Sequence, residues 1–257
     1  MLLALAERRR IAAPVALVVA HPDDETIGAG GSLLLLPDLL LVHVTDGAPR
    51  RLNDAARAGF ATPEAYAAAR AAELDAALAL AGTRPERVAL GIQDQDASDA
   101  ISAIARQLRA LFRRRRIEAV LTHAYEGGHP DHDATALAVH LAAAGGPVVL
   151  EFAGYHAGPD GGLRTGAFLP GPAATVVTLP PADAARKAAM LACFRSQAEI
   201  LSQFDPSRER FRPAQAYDFA AAPHPGRLNY EHWGWSMTGA EWRDRARAAL
   251  AEARCAA

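Results

Sequence analysis

An alternation of two kinds of segment does most to narrow what this chain can fold into. Short runs rich in valine, leucine and isoleucine recur between longer alanine-rich stretches with helical spacing. PVALVVA (14–20), DLLLVHV (38–44), ERVALGI (86–92), IEAVLTH (117–123) and PVVLEF (147–152) have the length and composition of strands. Between them, TPEAYAAARAAELDAALALAG, SDAISAIARQLRALFRRRR and DHDATALAVHLAAAG read as helices. Strand, helix and strand repeated in this way predict an α/β fold: a Rossmann-like, doubly wound, mainly parallel sheet with helices on both faces.

Beyond residue 152 the pattern loosens. HAGPDGGLRTGAFLPGP (156–172) is glycine- and proline-rich and is predicted to be a long loop, either a lid or an ordinary surface connection. ATVVTLP follows as a further strand, and ADAARKAAMLACFRSQAEILSQF as one long helix. Past residue 204 the signal weakens until a final helix from Ala240 to Ala253. The 257 residues suit a single domain spanning 1–257, with 204–257 as a less well assigned C-terminal cap or extension.

Composition excludes several classes. The net charge of −2 leaves no footprint for nucleic acid and no polybasic membrane patch. Cys193 and Cys255 lack disulfide-framework or metal-thiolate spacing, which points to a reducing cytoplasm. No apolar stretch reaches the roughly 18 residues of a membrane span, and the first residues run apolar then basic, the reverse of a signal peptide. The expectation is a cytoplasmic protein acting on a small molecule. The run Arg113 to Arg116 suits the solvated C-terminal end of a helix.

The chemistry gathers at two strand ends. VVAHPDDETIGAGGSL (18–33) leaves the first strand with His21, Asp23, Asp24 and Glu25, and EGGHPDHDATA leaves the fourth with His129, Asp131 and His132. In the sheet order 3-2-1-4-5 these strands are neighbours, and their C-terminal ends flank the crevice where ligands bind. So many carboxylates in one pocket would repel one another without a cation. Two histidines and one carboxylate form the ligand set of a hydrolytic zinc centre. His21, Asp24 and His132 best supply it, leaving Asp23 as a base and His129 as a donor. His140 lies eight residues after His132, about 12 Å along one helix, too far to share the ion. His43 and His123 read as structural, with His123 near the pocket. Gly28 to Gly31 imitate a dinucleotide fingerprint, but Leu33 stands where its third glycine belongs, and the acids would repel a pyrophosphate. These glycines are read as permitting close packing of the first helix.

AHPDDE with the downstream HPDH resembles the PIG-L/LmbE-like family of metal-dependent N-deacetylases. DDETIGAGGSL, VHVTDG (42–47), Arg70 with Glu73, and Ser196-Gln197 follow in the family's order, so the resemblance covers roughly residues 14–202. It implies a zinc enzyme, with another divalent metal possible, that removes the N-acetyl group from an N-acetylglucosamine-type amino sugar or glycoconjugate. Carried over by position, His21, Asp24 and His132 are the ligands, Asp23 the general base, His129 the oxyanion donor, and Asp131 the partner that orients His129.

Substrate contacts are less constrained. Arg70 falls on the apolar stripe of Tyr66, Leu74 and Leu78, where it either meets sugar hydroxyls or pairs with Asp46 or Glu73. Tyr230, Trp233 and Trp235 suit core packing or stacking on a sugar or aglycone. Two other functions compete with the main one. The same catalytic core could cleave a larger amide, as in thiol-conjugate amidases or antibiotic-tailoring deacylases, and a nucleotide-binding oxidoreductase could use the same sheet.

Overall fold

The computed structural model describes residues 1–50 and 54–255. Among them the central sheet has seven strands: β1 (Val15–Val19), β2 (Leu39–Thr45), β3 (Glu86–Ile92), β4 (Ala119–His123), β5 (Val148–Phe152), β8 (Thr175–Thr178) and β9 (Arg208–Pro213). A separate hairpin joins β6 (Tyr155–Ala157) to β7 (Leu163–Thr165). The sheet order is β3-β2-β1-β4-β5-β9-β8, so β1 and β4 are neighbours, as the motif argument requires. The first five strands are parallel; β9 runs antiparallel to β5, and β8 antiparallel to β9.

Helices cover both faces: α1 (Leu2–Ala6), α2 (Asp24–Ala29), α3 (Asp54–Arg57), α4 (Pro63–Ala81), α5 (Ile101–Arg115), α6 (Pro130–Ala143), α7 (Pro181–Leu191), α8 (Ala198–Leu201), α9 (Asn229–His232) and α10 (Gly239–Cys255). Val15, Leu17 and Val19 of β1 pack with Leu74 and Leu78 of α4 and Met190 of α7. Ala16 and Val18 face the other way, toward Leu108 of α5, Leu137 of α6 and Trp242 of α10. A strand buried on both faces has no polar alternation, which is why VALVV reads as a continuous apolar run.

Three expectations need correction. The long helix over 182–204 breaks into α7, a 3₁₀ turn at Arg195–Gln197, and α8. At the break, the Ser196 backbone N–H and hydroxyl donate to the two carboxylate oxygens of Glu73 on α4 (2.9 and 2.6 Å), bonds that a continuous helix would not aim there. The 156–172 segment is not all loop, because its first half closes the β6–β7 hairpin. Past residue 204 lies β9, unread because RERFRP carries four charges. Two of them are buried and paired: Glu209 with Lys187 (3.0 Å), and Arg212 with Glu151 on adjacent β5 (2.8 Å). No helix among the described residues is long and apolar enough to cross a membrane.

The glycines of α2 and of the turn after it act as spacers. A Cβ on Gly28 would lie 2.4 Å from the ring of Phe152, and one on Gly31 would lie 2.2 Å from Leu179. The Gly31 N–H donates to the buried Glu209 carboxylate (2.8 Å).

Candidate active site

The two His-Pro-Asp turns meet because β1 and β4 end side by side. The Ala20 N–H, just past β1, donates to His123 Nε2 at the end of β4 (3.0 Å). His21 Nδ1 and His132 Nε2 are 3.3 Å apart, and Asp24 places Oδ2 3.3 Å from the first and Oδ1 3.2 Å from the second. All three side chains are buried, and one ligand atom from each falls within 4.8 Å of the others. A second group of four on the other edge of the same imidazole meets the same test: His21, Asp94, His129 and Asp131.

Each acid of HPDDE faces a different way. Asp23 has φ 127°, a left-handed conformation that costs a non-glycine residue on the order of 1–3 kcal/mol and persists only where its surroundings hold it. Two contacts do so. Its backbone N–H donates to Glu25 Oε2 (3.0 Å), and its carboxylate takes Arg70 at 3.0 Å, while the same guanidinium nitrogen donates to the Pro22 carbonyl (2.5 Å). Arg70 therefore pairs with Asp23 rather than with Asp46 or Glu73, which bind Arg50 and Ser196. Gly47 (φ 66°) sits behind this pair, since a Cβ there would crowd Pro22 and the guanidinium at 2.9 and 3.0 Å. Glu25 turns from the pocket into the core, where His43 Nε2 (3.1 Å) and the Thr26 hydroxyl (2.6 Å) meet it.

His129 is the N-cap of α6, and its Nδ1 accepts the Asp131 backbone N–H (3.0 Å). With Nδ1 used as an acceptor, the neutral ring carries its proton on Nε2. The Asp131 carboxylate was expected to orient this ring. Instead it accepts the Gln95 and Ala97 N–H groups (2.6 and 3.2 Å) and lies 3.3 Å from His21 Nε2. Its partner is thus the candidate ligand His21, and the hydrogen bond that fixes the His129 ring comes from backbone. Asp94, which the sequence reading missed, reaches His21 Nε2 at 3.5 Å and His129 Nε2 at 3.9 Å. Its signal was the same as the others', an acid just past a strand end, here that of β3. His123 stacks on His132 (4.0 Å) and buttresses it, whereas His140 binds the carbonyls of Ala136 and Gln215.

Residues 16–143 match the sequence profile of the family described as PIG-L, GlcNAc-PI de-N-acetylase. Over this stretch the chain belongs to the PIG-L family. No curated protein sequence matches it. Solved structures share the fold at low identity. A deacetylase triple mutant of the teicoplanin biosynthetic pathway is 19% identical with a TM-score of 0.64, over 80% of this chain and 99% of that one. N,N'-diacetylchitobiose deacetylase from Pyrococcus horikoshii is 18% identical with a TM-score of 0.56, over 78% and 83%. The 4-carboxy-2-hydroxymuconate hydratase from Pseudomonas putida is 19% identical with a TM-score of 0.57, over 79% and 97%. Likeness at this level is likeness of fold.

In the site, burial works against the charged forms of Asp23, Asp24, His21, His129 and His123, and the neighbours reinforce or overcome it. Burial alone would raise Asp24, but His132 and His123 hold its carboxyl well below the usual range. Burial lifts Asp23 to about 8 against the pull of Arg70. His21, though buried, is raised well above its ordinary value by Asp94, Asp131 and Asp24. Burial and the neighbouring His21 and His132 lower His129, and burial with His132 lowers His123 to about 4. The cavity over these groups holds about 650 Å³, in the range of small-molecule sites. His21, Asp23, Asp24, Asp94, His129 and His132 line its floor. Glu25 and Asp131, both expected in the pocket, stand behind it.

Proposed function

We propose that this chain is a metal-dependent amide hydrolase that removes the N-acetyl group from an N-acetylglucosamine-type amino sugar or glycoconjugate. One observation carries the reading: a buried two-histidine, one-carboxylate cluster faces Asp23 and the Nε2–H of His129 across a single cavity. The family description and the two deacetylases among the solved structures support it, while the hydratase of the same fold shows that the fold alone does not choose the reaction.

His21, Asp24 and His132 would hold the ion. The fit rests on the donor set, on the ionised state of Asp24, and on His21, whose Nε2 meets Asp131 while Nδ1 faces the other two ligands. Zinc suits this set best, and iron, cobalt or manganese could also occupy it. A divalent ion there supplies Lewis-acid polarisation of the amide carbonyl and acidification of water toward pKa ~7.

The remaining work belongs to the chain. Asp23, fixed by its backbone and by Arg70, accepts the proton of the attacking water and returns it to the departing amine. His129 donates Nε2–H to the oxygen that becomes negative, an effect worth about 3–4 kcal/mol at comparable sites. Arg70 lines the cavity beside Asp23 and is the substrate-facing cation of this reading.

The test is primary-amine release by metal-loaded protein from N-acetylglucosamine derivatives: free sugar, phosphosugar, chitobiose, inositol and malate glycosides, and a nucleotide sugar. Release from at least one that disappears in Asp23→Asn at unchanged metal content is expected, and His132→Ala should lose the metal. No release from any derivative or longer N-acyl analogue, with the metal bound, would overturn the amide-hydrolase reading.

A further inference from the structure

The walls above the polar floor are unlike one another. Arg70, Tyr66, Gln95, Ser196 and Gln197 give the lining its polar groups, and Trp233, Trp235 and Tyr155, which touch one another in turn, give it an aromatic wall. Trp233 is 41% exposed, unusual for the largest apolar side chain, while Tyr230 and Trp242 from the same C-terminal region are fully buried. Core packing therefore accounts for Tyr230 and Trp242 and leaves the two rim tryptophans unexplained.

This wall is built, and it is fixed to the reaction centre. Trp235 lies edge-to-face on His129 with ring centroids 4.8 Å apart, Trp233 tilts against Trp235 at 5.0 Å, and Trp233 also leans on Tyr155 at 5.8 Å. Tyr155 in turn contacts His132 at 5.1 Å. Gly234 (φ 72°) makes the bend that sets the two indoles side by side. The segment is stapled to the loop that carries His129: the Asn229 backbone N–H donates to the Gly127 carbonyl (2.9 Å) and its side-chain amide to the Gly128 carbonyl (3.1 Å). Glu231 closes the other end, accepting from the Leu228 and Gly239 N–H groups. Aromatic side chains held this way offer a flat apolar surface at little conformational cost on binding.

We propose that the Trp233–Trp235 wall binds an apolar group of the substrate lying outside the sugar ring and the amide. The inference rests on the amide-hydrolase reading for what the rest of the substrate is. The polar wall suits sugar hydroxyls, and an amide at His129 has two ends: the acyl chain, and the sugar with its aglycone. An alkyl or aryl aglycone and a long acyl chain present the same chemistry to the indoles.

Binding of the hydrolysis products separates these sources without turnover. Calorimetry on wild-type, metal-loaded protein would compare octyl with methyl glucosaminide, and octanoate with acetate. One octyl-type ligand should bind about tenfold or more tighter than its short partner, from the apolar area it covers. Trp233→Ala should bring that ratio close to one, whatever it does to absolute affinity, and Trp235→Ala provides a second reading. An advantage in the glucosaminide pair assigns the wall to the aglycone, and one in the carboxylate pair to the acyl chain. Equal affinities within both pairs, or a ratio that survives in both variants, would overturn the proposal. Amine release is a separate assay, so loss of the hydrolase reading and loss of the apolar subsite give different results.

Discussion

Asp131→Asn separates two accounts of how the centre is held together. On the structural account, the Asp131 carboxylate lies 3.3 Å from His21 Nε2 and fixes the ring so that Nδ1 faces Asp24 and His132. Loss of such an outer partner weakens metal binding about 10–100-fold, or roughly 1.4–2.7 kcal/mol. Asparagine keeps one carbonyl oxygen, so either the Gln95 or the Ala97 N–H loses its acceptor on the fully buried side chain of residue 131. That should cost about 1–3 kcal/mol of stability, and at about 2–4 °C per kcal/mol the melting temperature should fall by several degrees. The assay pairs a competition titration against a chromophoric chelator with kcat at saturating metal. Weakened metal affinity and a kcat largely restored by excess metal are expected, with His129→Ala giving the opposite pattern. Unchanged metal affinity with a reduced kcat at full occupancy would refute the reasoning and put Asp131 behind His129 after all.

Two further outcomes follow from the packing and the buried charges. Gly28→Ala drives a methyl into the Phe152 ring, which touches His123 and through it His132; the expected loss is about 1–3 kcal/mol, read as a lower melting temperature. A variant as stable as wild type would remove the close-packing role of this glycine. Burial lifts Glu126 from its ordinary 4.5 to about 8, partly offset by the Leu169 N–H and Arg212. A carboxyl raised in the folded state contributes its full stability below 4.5 and loses it as pH climbs through about 8. Wild-type melting temperature should therefore fall between about pH 5 and 8 relative to Glu126→Gln, which keeps a carbonyl for both donors; parallel curves for the two proteins would exclude Glu126 as the titrating group.

The legible parts of the fold were those where burial and polarity agree. β1, β2 and β4 are buried along their whole length and mostly apolar because helices cover both faces, and α4 carries its own boundaries in Thr62, Pro63 and left-handed Gly82. β9 was hidden because its inward positions hold Glu209 and Arg212, whose partners lie far away in sequence on α7 and β5. The break after α7 was hidden because Glu73, which draws Ser196 out of helical geometry, sits 123 residues earlier. In the site, spacing brought the right turns together but could not say which atom faces which. That is why the role the resemblance implied for Asp131, orienting His129, gives way to a contact with His21 across the strand junction, and why Arg70 was offered Asp46 or Glu73 instead of Asp23.

The run HPDDE shows how a common topological position changes its chemistry. In open α/β sheets the turn after β1 leads into a helix whose N-terminus favours anions, the usual place for a phosphate. Here the anions are the protein's own. Asp24 and Glu25 occupy the first turn of α2, and Asp23 precedes it in a strained conformation. At this φ the consecutive carboxylates divide, Asp23 toward Arg70 and Asp24 toward His132. With Glu25 turned back to secure the Asp23 N–H and His43, two carboxylates of this run are left at the crevice, where Asp94 joins them beside three imidazoles. Such a crevice repels a pyrophosphate and is compatible with a divalent cation, at the same sheet position that elsewhere cradles a nucleotide.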